Sequence, residues 1–411
     1  MQLRSVYVCF TVGLINFLVF AIGGNELIAA EKSVNVVHES GSGIKLTSSD
    51  GRYQFELGGR VMIDVAHYQE DQTTLGDGTE LRRARIELEG AIYDWAYEFG
   101  LDVADEDGAA EVKDAYIEYL GWDSMKLKLG QFKQPFSLEE LTSSKYITFM
   151  ERALPNTFAP GRTIGVGVQT YGKNTNIGAG FFGQAYDEDQ DGEGDESNSV
   201  SVRLVYAPSH EKQSVLHFGL SANYFNPASA PGDTATVGFD SRPESHLTGV
   251  KYLDTGDISN VSHVMKYGIE MAWVSGPWSV QGEYLLAQVE RDAALPALEF
   301  QGWYVYGSWL LTGESRRYRL KKGTFGRIKP KTSAGAWELA YRVSSLDLND
   351  QDISGGSATQ HTLGLNWYAN AHTRLMLNLI KVDNDNNADA NGDASADDSP
   401  GIAQLRVQVD F

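Results

Sequence analysis

The 411-residue chain has 43 glycines, 11 prolines and 11% aromatic residues, a composition for strands and close backbone approach rather than for a helical bundle. Its formal net charge is −21 and the sequence offers no concentrated basic face, which excludes a nucleic-acid binder. Cys9 is the only cysteine, so no intramolecular disulfide can form.

The N-terminus comes first. Arg4, the mostly apolar run 6–22 and the small residues of "ELIAA" before Glu31 read as a secretion signal. Cleavage near Ala30 would make 1–30 a signal peptide, 31–50 an N-terminal periplasmic segment and 51–411 the barrel described next; a retained membrane anchor is the alternative. The mature chain would have no cysteine, as suits an exported protein that does without disulfides. No later stretch reaches the ~20 apolar residues of a spanning helix.

From residue 51 the chain alternates with a period of two. Tyr53, Phe55, Leu57, Val61, Ile63 and Val65 share one face, and Arg52, Gln54, Glu56, Arg60, Met62 and Asp64 the other. Such alternation predicts strands with one apolar and one polar face. Sixteen segments carry it, near 51–68, 80–93, 95–105, 111–120, 125–132, 162–172, 175–186, 199–207, 215–225, 264–275, 278–291, 300–311, 335–347, 359–369, 372–383 and 402–411. About 9–11 residues suffice to cross a bilayer as a tilted strand.

The connectors alternate too. Asp94, 121–124, 172–174, 208–213, 275–277 and 370–372 are mostly tight, whereas 69–79, 133–161, 187–198, 226–263, 348–358 and 384–401 are mostly long. Short turns on one side and long loops on the other are the layout of an outer-membrane barrel. This parity places "LTGVKYLD" (247–254) inside a long loop, because an extra strand would make the count odd. One long basic connector, 312–334, falls on the short-turn side and has no explanation in the pattern. Aromatics near segment ends (Tyr68, Tyr93, Trp95, Trp122, Tyr171, Trp278, Trp303, Trp367 and Tyr368) predict interfacial girdles, where a soluble sandwich would show a mixed aliphatic core.

The chain ends in "AQLRVQVDF". Ala403, Leu405, Val407, Val409 and Phe411 form an outward apolar row, and a final strand ending in Phe resembles the assembly signal of bacterial outer-membrane barrels. The expectation is an all-β fold: a 16-stranded antiparallel transmembrane β-barrel, both termini periplasmic, with a partly helical constriction loop folded inward.

That loop is "GQFKQPFSLEELTSSKYITFMERALPNTFAPGR" (130–162). Pro135 breaks the strand, Ser137 with Glu140 matches a capping box, and Leu138, Leu141, Tyr146, Phe149 and Met150 give an apolar side. Folded inward, 133–161 would pack on the barrel wall and narrow the pore. A lid over the mouth, or a loop contacting a neighbouring copy, is the alternative.

This segment, with "LRRARIELEG" (81–90), resembles the phosphate-selective porin O and P family of Gram-negative outer membranes. The resemblance implies a sixteen-stranded barrel, a homotrimer and a constriction built by the third loop, with arginine rows and a lysine cluster guiding anions. By motif, Arg82, Arg83 and Arg85 match the family's basic run, Arg82 at the mouth of the constriction, and Lys133 stands where the family carries a basic residue at the loop base.

The residues themselves give a mixed wall. The inward face holds the basic positions Arg60, Arg83, Arg85, Lys126, Lys128, Arg203, Lys266, Arg342, Arg374 and Arg406. It also holds the acidic positions Glu56, Asp64, Glu87, Glu89, Glu98, Asp102, Asp114, Glu118, Glu270, Glu283, Glu338 and Asp410. Selectivity then depends on the narrowest point. Either Arg60, Arg83, Arg85, Lys126, Lys128 and Lys133 converge into a basic eyelet, or they pair with Glu87, Glu89 and Glu118 and stiffen the wall.

The acidic loop "DEDQDGEGDES" begins like a calcium loop at Asp187, Asp189 and Asp191, but Asn198 stands where the bidentate Glu belongs, so a solvated loop is the plainer reading. The eight histidines are scattered and no H-E-x-x-H or G-x-S-x-G occurs; neither an enzyme nor a cofactor is expected. The expected function is passive diffusion of small ions and solutes, including anions such as phosphate, from within outer-membrane lipid and lipopolysaccharide. The alternative is a surface structural protein or adhesin whose acidic loops bind partners or divalent cations.

Overall fold

The structure, a computed structural model, describes residues 43–104, 110–185, 196–229, 233–292 and 294–411, together with the backbone of Val34–His38. The expected signal segment 1–30 and the carboxylates Asp187, Asp189 and Asp191 lie outside the described residues.

Sixteen strands form the barrel: Tyr53–Gln69, Gly78–Ile92, Trp95–Asp102, Glu111–Tyr119, Met125–Lys133, Arg162–Tyr171, Thr175–Phe182, Asn198–Glu211, Ser214–Asn226, Val261–Ser275, Trp278–Arg291, Leu298–Leu310, Ala336–Asp350, Ile353–Tyr368, Thr373–Asn384 and Gly401–Asp410. Each pairs antiparallel with its chain neighbour, and the last returns to the first, Asp410 opposite Arg60, to close the ring. Below that point the first strand would have a bare edge. An N-terminal hairpin, Val34–His38 with Ile44–Ser48, covers it by laying Ile44–Thr47 against Gln54–Leu57.

Alternation sets which side chains see lipid. Val61, Ile63 and Val65 are exposed on the outer surface, while Met62, Asp64 and Ala66 between them are buried within. Leu405, Val407, Val409 and Phe411 all face outward. Stacked pairs Trp278–Trp309 and Trp337–Trp367, with ring centroids 4.7 and 5.9 Å apart, sit at the tight-turn side. Tyr68 and Tyr368 are not girdle residues. Both face inward at 4% and 8% exposure, Tyr68 bonded to Ser245 and Tyr368 to Glu338.

The segment 247–254 is loop, as the parity requires, apart from a two-residue ladder of Leu253–Asp254 with Asp240–Ser241. The stretch 348–358 is not a long connector. The strands run on to Asp350 and from Ile353, leaving a two-residue turn with Gln351 at φ 52. Ser354–Ser357 carries no apolar alternation because loop backbone presses on it: a β-carbon at Gly355 would meet Thr255, and one at Gly356 would meet Ala388.

Among the described residues three segments fold into the barrel: 134–161, the extracellular loop from 233 to 260 and the basic connector 311–335 from the opposite end. Phe136, Leu154 and Phe158 of the first pack with Phe239, Leu253 and Ile258 of the second, against Leu285, Phe300 and Leu346 of the wall. Phe149 and Ala153 pack on Tyr304, Tyr306 and Ala340. Leu138 meets Val215, Ala272, Val274 and Phe325, the last from the connector. Burial of each phenylalanine stabilises by ~1.5–3 kcal/mol relative to water.

Candidate functional site: the lumen channel

The constriction loop has little regular structure of its own, only one helical turn, Leu138–Leu141, and a 3-10 turn, Leu154–Phe158. Its backbone groups therefore need partners from elsewhere. Ser137 caps the turn through Oγ, accepting the Glu140 amide at 3.1 Å. The reciprocal half of the expected capping box is missing: the Glu140 carboxylate binds Lys133, Arg152 and Asn156 instead. The Leu138 and Glu139 amides donate to Glu283 across the lumen, at 3.0 and 2.7 Å.

Wall side chains then take the loop carbonyls in turn. Gln408 donates to Lys145, Arg374 to Ile147 and Thr148, Asn366 to Thr148, Arg406 to Met150 and Arg342 to Glu151. Glu244 of the extracellular loop binds Arg342, Ser344, Thr362 and the Leu154 amide. The connector is held likewise. Arg203, gripped by Glu270 at 2.8 and 2.7 Å, donates to the Gly323 carbonyl; Asn176 donates to those of Leu320 and Lys321; Tyr318 meets His217 at 2.7 Å; and Arg327 binds Asp410.

The inserted segments leave a cavity of about 1010 Å³ against the wall from Gln54 to Ala179, with Gly43 and Lys45 of the N-terminal hairpin at its edge. Among its described lining residues are fifteen Lys and Arg against nine Asp and Glu. All six expected basic residues, Arg60, Arg83, Arg85, Lys126, Lys128 and Lys133, line it, as does Arg82. Arg203, Lys266, Arg342, Arg374 and Arg406, also inward, do not; apart from Lys266, these are anchors of the inserted segments.

The two arrangements left open by the sequence coexist. The bases converge on one cavity and are also paired: Arg60 and Lys145 with Glu87, Arg85 with Asp102 at 2.9 Å, Lys126 with Glu118 at 2.8 Å, and Arg162 with Asp114 at 2.8 Å. Lys128 lies 3.8 Å from Glu118 and 3.7 Å from the Tyr116 ring centroid. No cation lies within salt-bridge distance of Glu89 among the described residues.

The basic excess comes from residues that strand alternation does not reveal. Lys145 and Arg152 belong to the constriction loop, Arg162 to the first residue after it, and Arg319, Lys322 and Arg327 to the connector. Arg319 and Arg327 both lie over the Tyr146 ring at 5.3 and 5.4 Å, so connector and constriction loop meet there. The only sequence signal was a basic run on the wrong side of the parity. Arg82 enters the lumen by another route. Met62 pairs with Arg83 and Ile63 with Leu81, so Arg82 is the extra residue of a β-bulge that turns two consecutive arginines inward.

In the loop, burial would raise the Glu140 carboxyl, but Arg152 and Lys133 outweigh it and lower it to about 2. Burial would likewise raise Glu151, yet Arg82, Arg406 and Arg83 hold it well below the usual carboxylate range. Burial and the facing Arg60 lower the Lys145 ammonium. Among the described residues no group of three or more His, Cys, Asp or Glu could hold a metal ion. Acidic-loop carboxylates in 383–400 instead take amides: Asp398 accepts from Gln72 and Thr73 at 3.1 and 3.0 Å and from the Tyr252 hydroxyl at 2.6 Å.

Residues 55–411 match the family described as phosphate-selective porin O and P. Porin O of Pseudomonas aeruginosa is 30% identical over 417 residues, covering 92% of this chain and 93% of that one. An uncharacterized protein of Caulobacter vibrioides is 30% identical, covering 88% and 75%. Among solved structures, the anion-selective porin from Comamonas acidovorans matches at 15% identity with a TM-score of 0.56, over 87% of this chain and all 100% of that one. The outer membrane channel DcaP of Acinetobacter baumannii matches at 12% identity and 0.52, over 90% and 100%. These two likenesses are of fold.

Proposed function

The chain belongs to the phosphate-selective porin O and P family, and we propose that this outer-membrane porin passes small anions, phosphate among them, in preference to cations. The observation that carries the reading is the excess of fifteen bases over nine acids along the cavity of a chain whose net charge is −21. Such a local excess raises the concentration of anions in the pore although the molecule as a whole repels them. The arginines suit tetrahedral oxyanions through paired N–H donors. The interleaved carboxylates keep any one station weak, so that a bound solute can leave.

The transport is diffusive: the inserted loop sieves and the lining charge selects, with neither a catalytic step nor a cofactor. Porin O of Pseudomonas aeruginosa carries the family's name, and the fold relative from Comamonas acidovorans is described as anion-selective. We extend the proposal to a homotrimer, a form described for the fold relative OmpT of Vibrio cholerae, with residues 1–30 removed on export and the acidic loops facing lipopolysaccharide. Cross-linking in native membranes tests the trimer. Single-channel recording across a potassium chloride gradient tests the selectivity: the reversal potential is expected on the anion side, with chloride current reduced by added phosphate. A cation-side reversal would refute the reading.

A further inference from the structure

Behind the cavity-lining arginines Arg82 and Arg83 stands a carboxylate that belongs neither to the barrel wall nor to the lining itself. Glu151, from the constriction loop, accepts from Arg82 Nε and Nη2, both at 2.9 Å, and from Arg406 Nη2 at 2.6 Å. This is the two-pronged geometry that a guanidinium offers to any carboxylate or phosphate. Arg83, beside it on the bulge, is only 8% exposed. Among the described residues it has no oxygen acceptor at hydrogen-bond distance: it meets the Met62 sulfur at 3.6 Å and Glu151 at 3.9 Å. Arg406 is matched on its other side by Asp64 at 2.7 and 2.6 Å. Three guanidiniums thus share two carboxylates, and the unmatched charge lies at Arg83.

We propose that Glu151 is a tethered counter-anion: it occupies the Arg82–Arg83 pair where a passing oxyanion would otherwise bind, and so determines how tightly the channel holds phosphate. The inference rests on the anion-selective reading above and deepens it. Glu151 is not needed as a staple, because Arg342 holds its carbonyl, and Arg374, Asn366 and Gln408 hold those of Lys145, Ile147 and Thr148. Arg82 and Arg83 both line the cavity, so a solute in it reaches them from the side opposite Glu151. The Arg82 and Glu151 side chains keep 15% and 16% exposure, against 1% and 5% for Arg406 and Asp64. A phosphate that binds must draw Arg82 from the carboxylate, and a carboxylate fixed at high effective concentration lowers the apparent affinity.

The test is the inorganic phosphate concentration that half-blocks chloride current in single channels of the full-length porin. Glu151→Gln is expected to lower it roughly tenfold, the worth of a charge-assisted hydrogen bond, and Arg82→Gln to raise it. A simple staple would make both variants loosen the same loop and shift the value the same way, and that outcome overturns the proposal, as does an unchanged value in Glu151→Gln. Glu151→Asp, which keeps the charge but draws it back from Arg82, is expected to give a smaller decrease and serves if Glu151→Gln does not insert; no decrease there also overturns it. Failure is separable from that of the parent reading. A cation-side reversal in the unsubstituted channel refutes anion selectivity itself, whereas an anion-side reversal with an unmoved half-block in Glu151→Gln refutes only the role of Glu151.

Discussion

The two halves of the barrel use the same strand pattern for opposite ends. From Tyr53 to Phe182 most inward charges line the cavity and pair with one another, although Asn176 also holds the connector and Arg60 also reaches Ser144 of the constriction loop. From Asn198 to Asp410 the inward residues face inserted chain. Arg342, Arg374 and Arg406 hold carbonyls there, and Leu285, Phe300 and Leu346 pack on phenylalanines. An inward arginine is thus a pore charge on one side and a structural clamp on the other. The difference lies in what the lumen places in front of it, and face assignment from alternation says nothing about that.

Five tests would break or sharpen this contrast. The largest effect is expected on replacing 137–152 by a short Gly-Ser linker: single-channel conductance should rise severalfold and selectivity fall, because the packed half would then be wet. Next, Phe158→Ala should cost ~3–5 kcal/mol, whereas Phe99→Ala, on the lipid face at 40% exposure, should cost far less; thermal unfolding in detergent compares them, and equal losses would contradict the contrast. Arg374→Ala strips the Ile147 carbonyl of its donor and weakens the hold on Thr148, and should cost ~1–3 kcal/mol with the reversal potential unmoved. Arg85→Gln should do the reverse, freeing Asp102 beside the channel and moving the reversal potential toward zero with little loss of stability. The smallest effect concerns pH. Burial would raise Asp398, but bonds from Tyr252, Thr73 and Gln72 outweigh it and lower its pKa. A carboxyl lowered in the folded state contributes fully above its unfolded value, about 3.9, and loses that contribution as pH falls through the folded value. Protease nicking of the loops 70–77 and 385–400 should therefore stay flat from pH 8 to 5 and rise only below about pH 4.

The barrel was legible because lipid on one side imposes a period of two, and because topology imposes alternating connector lengths. Val61, Ile63 and Val65 mark the outer face with no knowledge of their neighbours. The strand 359–369 is expected from the pattern, but its start at Ile353 is not, for the converse reason: Gly355 and Gly356 suit close backbone approach and leave no side-chain signature. The constriction loop was legible through Pro135 and its apolar side, and the basic run 81–85 through family resemblance. The connector 311–335 was visible only as a parity violation, since its contacts to Arg203, His217 and Asp410 are long-range and obey no local period. Arg342, Arg374 and Arg406 were correctly placed inside, but a face is not a partner, and their role depends on a loop some two hundred residues away in the chain.

The seam between Gly401–Asp410 and Tyr53–Gln69 has a kinetic consequence. Arg406 meets Asp64 across 342 residues of sequence, so the contacts that complete the ring are among the most distant the chain can make, and loop-closure entropy opposes them until almost everything else is in place. Until then the sheet has two raw edges, each a template for pairing with another chain. Loss of the last strand would therefore yield an open sheet prone to aggregation rather than a smaller channel, and the cell must hold the unclosed chain apart from its copies until its final residues arrive at the membrane.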